Sequence, residues 1–199
     1  LVGSEMCIRD SIKADVYLED RKPVFDYIDR MDEVKTEAEE DKVYDLFITC
    51  DVSALDRLAV ARKYFDAAKK TACIDHHASN DGYADYNYIL PKASSASEVL
   101  YDLLDEDLID KSIEEPMYMG IAHDSGVFRF QSTTPKTMRI AANMIEKGVN
   151  VNMILEETFF RKTYNQMMVT AKIQSEAVLA LDGKCIYGCL LYTSDAADE

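Results

Sequence analysis

The sequence predicts an α/β fold, a parallel sheet flanked by helices, with the start of a second α/β domain at its C-terminus. Three observations carry that expectation. Residues 44–50 are mostly apolar without alternation, as a parallel strand covered on both faces would be, and they end at Asp51. Residues 71–74 form a second apolar run, which closes on Asp75-His76-His77. Between the two runs, Leu55, Leu58, Ala59, Phe65 and Ala68 make a stripe near the 3.6-residue period of a helix. Strand, helix and strand at this spacing match a βαβ unit, whose two strands present their carboxyl ends to one crevice. Asp51 and the Asp-His-His run are therefore expected to converge.

The remaining elements follow in order. Residues 13–18 read as a short strand, and Pro23 opens a helical turn through Ile28. The acidic stretch 37–41 reads as a solvated loop or helix end. A third strand over 86–90 leads through Pro91 to Ser95-Ala96-Ser97-Glu98, a capping-box pattern opening a helix with Leu100, Leu103 and Leu104 inward. An apolar helix with Met117, Met119 and Ile121 runs into Asp124, after which Gly126 permits a sharp departure of the backbone. Thr134 as N-cap, Pro135 at the first helical position and Gly148 past the end frame a helix that turns Met138, Ala141, Ala142 and Ile145 inward. A last helix covers roughly 164–176, and Asp182-Gly183 reads as the turn of a hairpin.

Composition narrows the function. The chain has 199 residues, 48% of them hydrophobic, and no run approaches the roughly 18 apolar residues of a membrane span. A net charge of −15 argues against sheathing duplex DNA, which needs clustered Lys and Arg to replace counterions. Cysteines at 7, 50, 73, 185 and 189 form no CxxC pair; Cys50 and Cys73 read as small core residues of a reducing compartment, and a cytoplasmic location is expected. Residues 1–11 and 189–199 resemble translated sequencing-adaptor DNA. They are expected to be artefacts flanking an internal fragment, the other reading being a frayed native terminus at each end.

Taken singly, the chemical residues have ordinary readings too. Asp51 suits the N-cap of the helix after it, and two adjacent histidines suit a polar loop. His123 reads as a satisfied helix-end imidazole, and Asp124 as a turn carboxylate. Arg129 suits either a phosphate or a structural ion pair, and Arg57 a solvated helix face. Met117, Met119 and Met138 read as core. Tyr83, Tyr86 and Tyr88 read as a half-buried strand face.

Three motifs in order, Thr49-Cys50-Asp51-Val52-Ser53, Asp75-His76-His77 and Gly120-Ile121-Ala122-His123-Asp124-Ser125-Gly126, resemble the DHH phosphoesterase superfamily. Residues 93–101 and 132–135 look like its bacterial oligoribonuclease and 3′-phosphoadenosine 5′-phosphate phosphatase branch, and the likeness runs from about Lys13 to Tyr187. The resemblance implies two divalent ions, usually manganese, with magnesium or cobalt as substitutes, and Asp51, His76 and Asp124 as metal ligands. It implies that His77 faces the scissile phosphate, that Asp75 orients the site, and that Arg129 contacts substrate. The implied partner is a short single-stranded RNA or nucleotide, with homodimers common in the family. Residues 12–160 would be a partial catalytic domain, and 161–188 a linker helix and the beginning of a substrate-binding domain. Family members also begin with a His-x-x-x-Asp-x-Asp motif, and no such run occurs in this sequence, so the chain as written is expected to be inactive, with weak binding of one ion at best. Cyclic dinucleotide phosphodiesterase and pyrophosphatase activities belong to the same superfamily; Ala78-Ser79-Asn80, where the former usually carry arginine, counts against that one. A non-catalytic nucleotide-binding domain is the alternative from another class.

Overall fold

The computed structural model describes residues 13–38, 42–105 and 108–189. The chain divides into two compact units, Leu1–Thr158 and Phe159–Glu199. Among the described residues, no helix is long and apolar enough to cross a membrane.

Among the described residues, the first unit is organised on a three-stranded parallel sheet of β1 (Phe47–Cys50), β2 (Thr71–Asp75) and β3 (Tyr86–Ile89), in that order, with β2 central. The ladder continues past β1, where the Asp51 N–H donates to the Ile74 carbonyl at 3.0 Å, and past β3, where the Leu90 N–H donates to Asp75 at 3.0 Å. On β2, Thr71, Cys73 and Asp75 are buried on one face. The expectation that β1 is covered on both faces is not met: Leu46 and Ile48 are exposed, Ile48 by 46%. An edge strand has one hydrogen-bonded neighbour, and its apolar composition alone does not bring a layer over each face. Cys50 is likewise exposed rather than core, whereas Cys73 is buried as expected. Tyr86 and Tyr88 on β3 are exposed too.

The β1–β2 connection is helical but broken. A 3₁₀ segment, Leu55–Ala61, precedes α1 (Arg62–Ala67), and within it Ala59 has a positive φ of 43°. That reversal resets the helical phase. Ala61, Tyr64 and Phe65 turn inward and Ala59 outward, in place of the single predicted stripe.

Residues 13–18 make a bridge, Tyr17 to Lys35, instead of a strand. Asp15 accepts from Lys35 at 3.0 Å, from Lys42, and from the Tyr44 hydroxyl at 2.7 Å. Burial alone would raise its carboxyl, but these donors hold it at about 2. The turn predicted from Pro23 is a 3₁₀ helix, Pro23–Phe25, followed by another, Met31–Glu33; Ile28, Met31 and Val34 form a small core with Val16, Leu18 and Met119. Of the acidic stretch, Glu37 is exposed in a bend and residues 39–41 lie outside the described residues.

Three helices complete the layer: α2 (Ala96–Leu103), α3 (Lys111–Asp124) and α4 (Pro135–Glu146). Ser95 caps α2 by accepting the Glu98 N–H at 3.0 Å, but the Glu98 carboxyl turns to other partners, and Ala96, Glu98 and Val99 face inward while Leu103 is exposed. On α3, Ile113, Met117 and Ile121 are fully buried, and Asp124 is the last helical residue. Thr134 and Thr137 form a capping box at the start of α4, and Gly148 follows its end at φ 98°. Here the inward stripe is Thr137, Ile140, Ala141 and Met144; Met138, Ala142 and Ile145 face solvent, contrary to the sequence expectation. The two stripes lie side by side with the same period. Burial of Thr137, whose hydroxyl donates to Glu98 at 2.7 Å, selects between them. A short α5 (Val151–Leu155), capped by Asn150, buries Ile154.

The second unit contains α6 (Tyr164–Ser175), with a Thr163–Gln166 capping box, and an antiparallel pair, β4 (Val178–Ala180) and β5 (Cys185–Tyr187). Leu181, Asp182 and Gly183 all take positive φ between the strands, the hairpin expected at Asp182-Gly183.

Candidate metal centre

Parallel pairing sets β1 and β2 in register, so Cys50 lies beside Ile74 and the next residues of both strands leave the sheet at one edge. Asp51 leaves β1 with a φ of 61°, a left-handed conformation uncommon for a residue with a side chain and concentrated at functional sites. Asp75, His76 and His77 leave β2 beside it. Asp51, Asp75, His76 and His77 each offer one donor atom, and these lie within 4.8 Å of one another.

Asp75 is wholly buried. Its Oδ1 accepts from the His76 N–H at 2.8 Å and from His77 Nδ1 at 2.7 Å, and its Oδ2 accepts from Asn80 Nδ2 at 2.6 Å. Burial pushes this carboxyl up, but the hydrogen bonds from Asn80, His77 and the backbone prevail, and its pKa lies below the usual carboxylate range. A carboxylate with both oxygens engaged acts as an orienting post. Asn80 also donates to the Val52 carbonyl at 3.2 Å, and the Tyr83 hydroxyl donates to the same oxygen at 2.8 Å, so the turn after Asp51 is held by the same loop.

His76 faces the other way. Its Nδ1 lies 3.3 Å from the Ala93 carbonyl; a carbonyl only accepts, so Nδ1 carries the proton there. The Nε2 is thereby directed at two carboxylates, Asp51 Oδ1 and Asp124 Oδ2, each at 3.4 Å. Asp124 stands outside the group of four donors and reaches it through His76, from the end of α3. The hydrogen bond to Asp51 raises the His76 pKa against the opposing effect of burial. Burial, then the charge of Asp51, pushes Asp124 up to about 6.

Crowded carboxylates with one carboxyl driven upward are an arrangement that a bound cation would relieve. Carboxylate oxygens suit magnesium or manganese, and an imidazole beside them also suits zinc or iron. The residues present therefore fit a divalent cation, with Asp51, His76 and Asp124 among the groups able to hold it.

The other sequence candidates are placed differently. His77 is partly exposed, with its Nδ1 on Asp75 and 3.7 Å from Asp51. His123 lies edge-on to Phe25, and burial lowers its pKa. Arg129 is exposed, and its guanidinium joins no ion pair among the described residues. Sequence reading missed Asn80 and the Ala93 carbonyl. The Asn80-Asp81-Gly82 turn pattern, five residues past Asp75, was the available signal for the first; a main-chain carbonyl leaves none.

The family model for the N-terminal domain of the DHH family matches residues 2–121. Over 146 residues the chain is 32% identical to the bifunctional oligoribonuclease and PAP phosphatase NrnA of Bacillus subtilis (strain 168), covering 71% of this chain and 45% of that protein. Over 90 residues it is 31% identical to the NrnA of Thermus thermophilus, covering 44% of this chain and 28% of that one. The chain thus spans less than half the length of these relatives. An exopolyphosphatase-related protein from Bacteroides fragilis shares the fold with a TM-score of 0.77 at 16% identity, over 88% of this chain and 55% of that structure. With its family match running through both strand ends of the site and more than half of its residues, the chain belongs to the DHH family.

Proposed function

We propose that this chain carries the metal-holding part of a phosphoesterase that hydrolyses short oligoribonucleotides and 3′-phosphoadenosine 5′-phosphate. The observation that carries this reading is His76, with Nδ1 committed to a backbone carbonyl and Nε2 aimed at Asp51 and Asp124. In this proposal Asp51, His76 and Asp124 hold manganese, and the complete site holds two ions. When bound, the metal supplies positive charge against which a phosphate is stabilised during attack by water.

The chain's own groups have distinct tasks. Asp75 fixes the His77 imidazole through Nδ1, leaving Nε2 to face the scissile phosphate. Arg129, exposed on the loop after Asp124, pairs with a substrate phosphate. Residues 161–188 begin the domain that grips substrate. The similarity to proteins named for oligoribonuclease and PAP phosphatase activity supports this substrate class.

The test is release of mononucleotides from di- to pentanucleotide RNA by the full gene product and by the 199-residue chain. Manganese-dependent release by the full product, with none in a metal-free control, is expected; absence of release sinks the proposal. Full activity of a His76→Ala variant would refute the role of His76 as ligand.

A further inference from the structure

Behind His76 lies a buried carboxyl that the proposed chemistry does not use. Three hydrogen bonds converge on a single oxygen of Glu98, its Oε2: from the Ser94 N–H at 3.1 Å, the Ser94 hydroxyl at 2.6 Å and the Thr137 hydroxyl at 2.7 Å. Glu98, Ser94 and Thr137 are all buried. The reciprocal bond of a capping box does not account for the carboxyl, because it accepts from the N–H of Ser94, one residue before the N-cap Ser95.

The Ser94 N–H and the Ala93 C=O belong to one planar trans peptide and point in opposite directions. Glu98 pins the N–H side of that plane, and His76 Nδ1 sits on the C=O side. We propose that Glu98 is a positioning residue: it locks the 93–94 peptide so that the Ala93 carbonyl holds His76 with Nδ1 protonated and Nε2 turned towards Asp51 and Asp124. The consequence for metal affinity rests on His76 being a ligand; the consequence for the imidazole does not. Partners behind a ligating histidine fix its tautomer and ring orientation, and removing them typically costs about 10- to 100-fold in affinity.

The experiment separates the two. Long-range ¹⁵N correlation spectra of the metal-free 199-residue chain, at a pH where the imidazole is neutral, report which nitrogen carries the proton. Manganese binding is followed in parallel by electron paramagnetic resonance of the free ion. Wild type is expected to show Nδ1–H. Glu98→Gln keeps an oxygen able to serve all three donors and should retain that tautomer. Glu98→Ala should shift His76 towards Nε2–H and weaken manganese binding by about tenfold. Glu98→Met, which fills the space without an acceptor, serves if the alanine variant does not fold. Thr137→Val breaks the α4 side alone and should lower Tm without moving the tautomer, which a purely structural role of Glu98 would not distinguish. Unchanged Nδ1–H and unchanged affinity in Glu98→Ala or Glu98→Met overturn the proposal, as does Nε2–H in a folded Glu98→Gln chain. A wild-type chain that binds no manganese removes the affinity readout alone, and the tautomer then decides the role of Glu98.

Discussion

The two strand ends that meet at the site are built in opposite ways. The β2 end is closed: Asp75 is fully buried and accepts from three donors. The β1 end is open: the Asp51 side chain is 47% exposed, and its backbone is left-handed. Both are aspartates one residue beyond, or at, the last rung of neighbouring strands. The difference teaches a division of labour, in which the buried carboxylate holds geometry and the exposed one remains available to a ligand. Asp124 belongs with the open side, since burial and the charge of Asp51 push its carboxyl up where hydrogen bonds hold that of Asp75 down.

Removing the closed post breaks the comparison most severely. Asp75→Ala leaves the His77 Nδ1–H, the Asn80 amide and the His76 N–H without their acceptor, and should destabilise the chain by about 3 kcal/mol, measured by urea unfolding. A loss below about 0.5 kcal/mol would mean that Asp75 is not a structural post. Next in size is the loop after Asp124, where Gly126, Val127 and Phe128 take positive φ in succession. A Cβ on Gly126 would meet the Phe130 ring at 2.5 Å as well as the unfavourable backbone. Gly126→Ala should cost about 2 kcal/mol, read as a lower urea midpoint at unchanged slope.

A pH series separates the carboxylates by sign. Asp75 is depressed, so its contribution is present above the unfolded carboxylate value of about 4 and is lost as pH falls through its folded value. Asp124 is raised to about 6, so from about 4 upward the folded chain keeps a proton that the unfolded chain has released, and stability declines as pH rises through that window. His76 acts in the same direction: its folded pKa is raised, and its contribution is lost as pH climbs through it. Tm of the metal-free chain should therefore fall from mildly acidic to neutral pH, and Asp124→Asn should flatten that fall. Equal slopes in the two chains would count against the raised carboxyl.

Much of the closed and open ends was legible because a βαβ spacing brings strand ends together before any side chain is placed. Asp51, Asp75, His76 and His77 were expected to converge on that ground, whereas Asp124, marked by the helix end before Gly126, was joined to them only through the family resemblance. What packs against what was less legible. On α4 the Met138, Ala142 and Ile145 stripe and the Thr137, Ile140 and Met144 stripe have the same period, and a buried hydroxyl bonded to Glu98 decides between them. Ala59 breaks a helix that its composition would continue. The support of His76 could not be read at all, since it passes through the Ala93 carbonyl, a group every residue possesses.

The smallest expected change in stability falls on Asp51, and it is the sharpest test of the division. Its carboxylate faces solvent and the Nε2 of His76, with no buried donor depending on it among the described residues, so Asp51→Asn should alter unfolding free energy by less than about 0.5 kcal/mol. The substitution also removes a charge that pushes Asp124 upward, so the Asp124 carboxyl should titrate lower, which ¹³C NMR of the carboxyl resolves. Manganese binding should nevertheless weaken, because an exchange of carboxylate for amide gives up the charge a divalent ion needs. Asp75→Ala should show the reverse pattern in its first effect, with lost stability in the absence of any metal. If Asp51→Asn destabilises the metal-free chain as much as Asp75→Ala does, the two strand ends are one structural unit rather than a post and an open ligand.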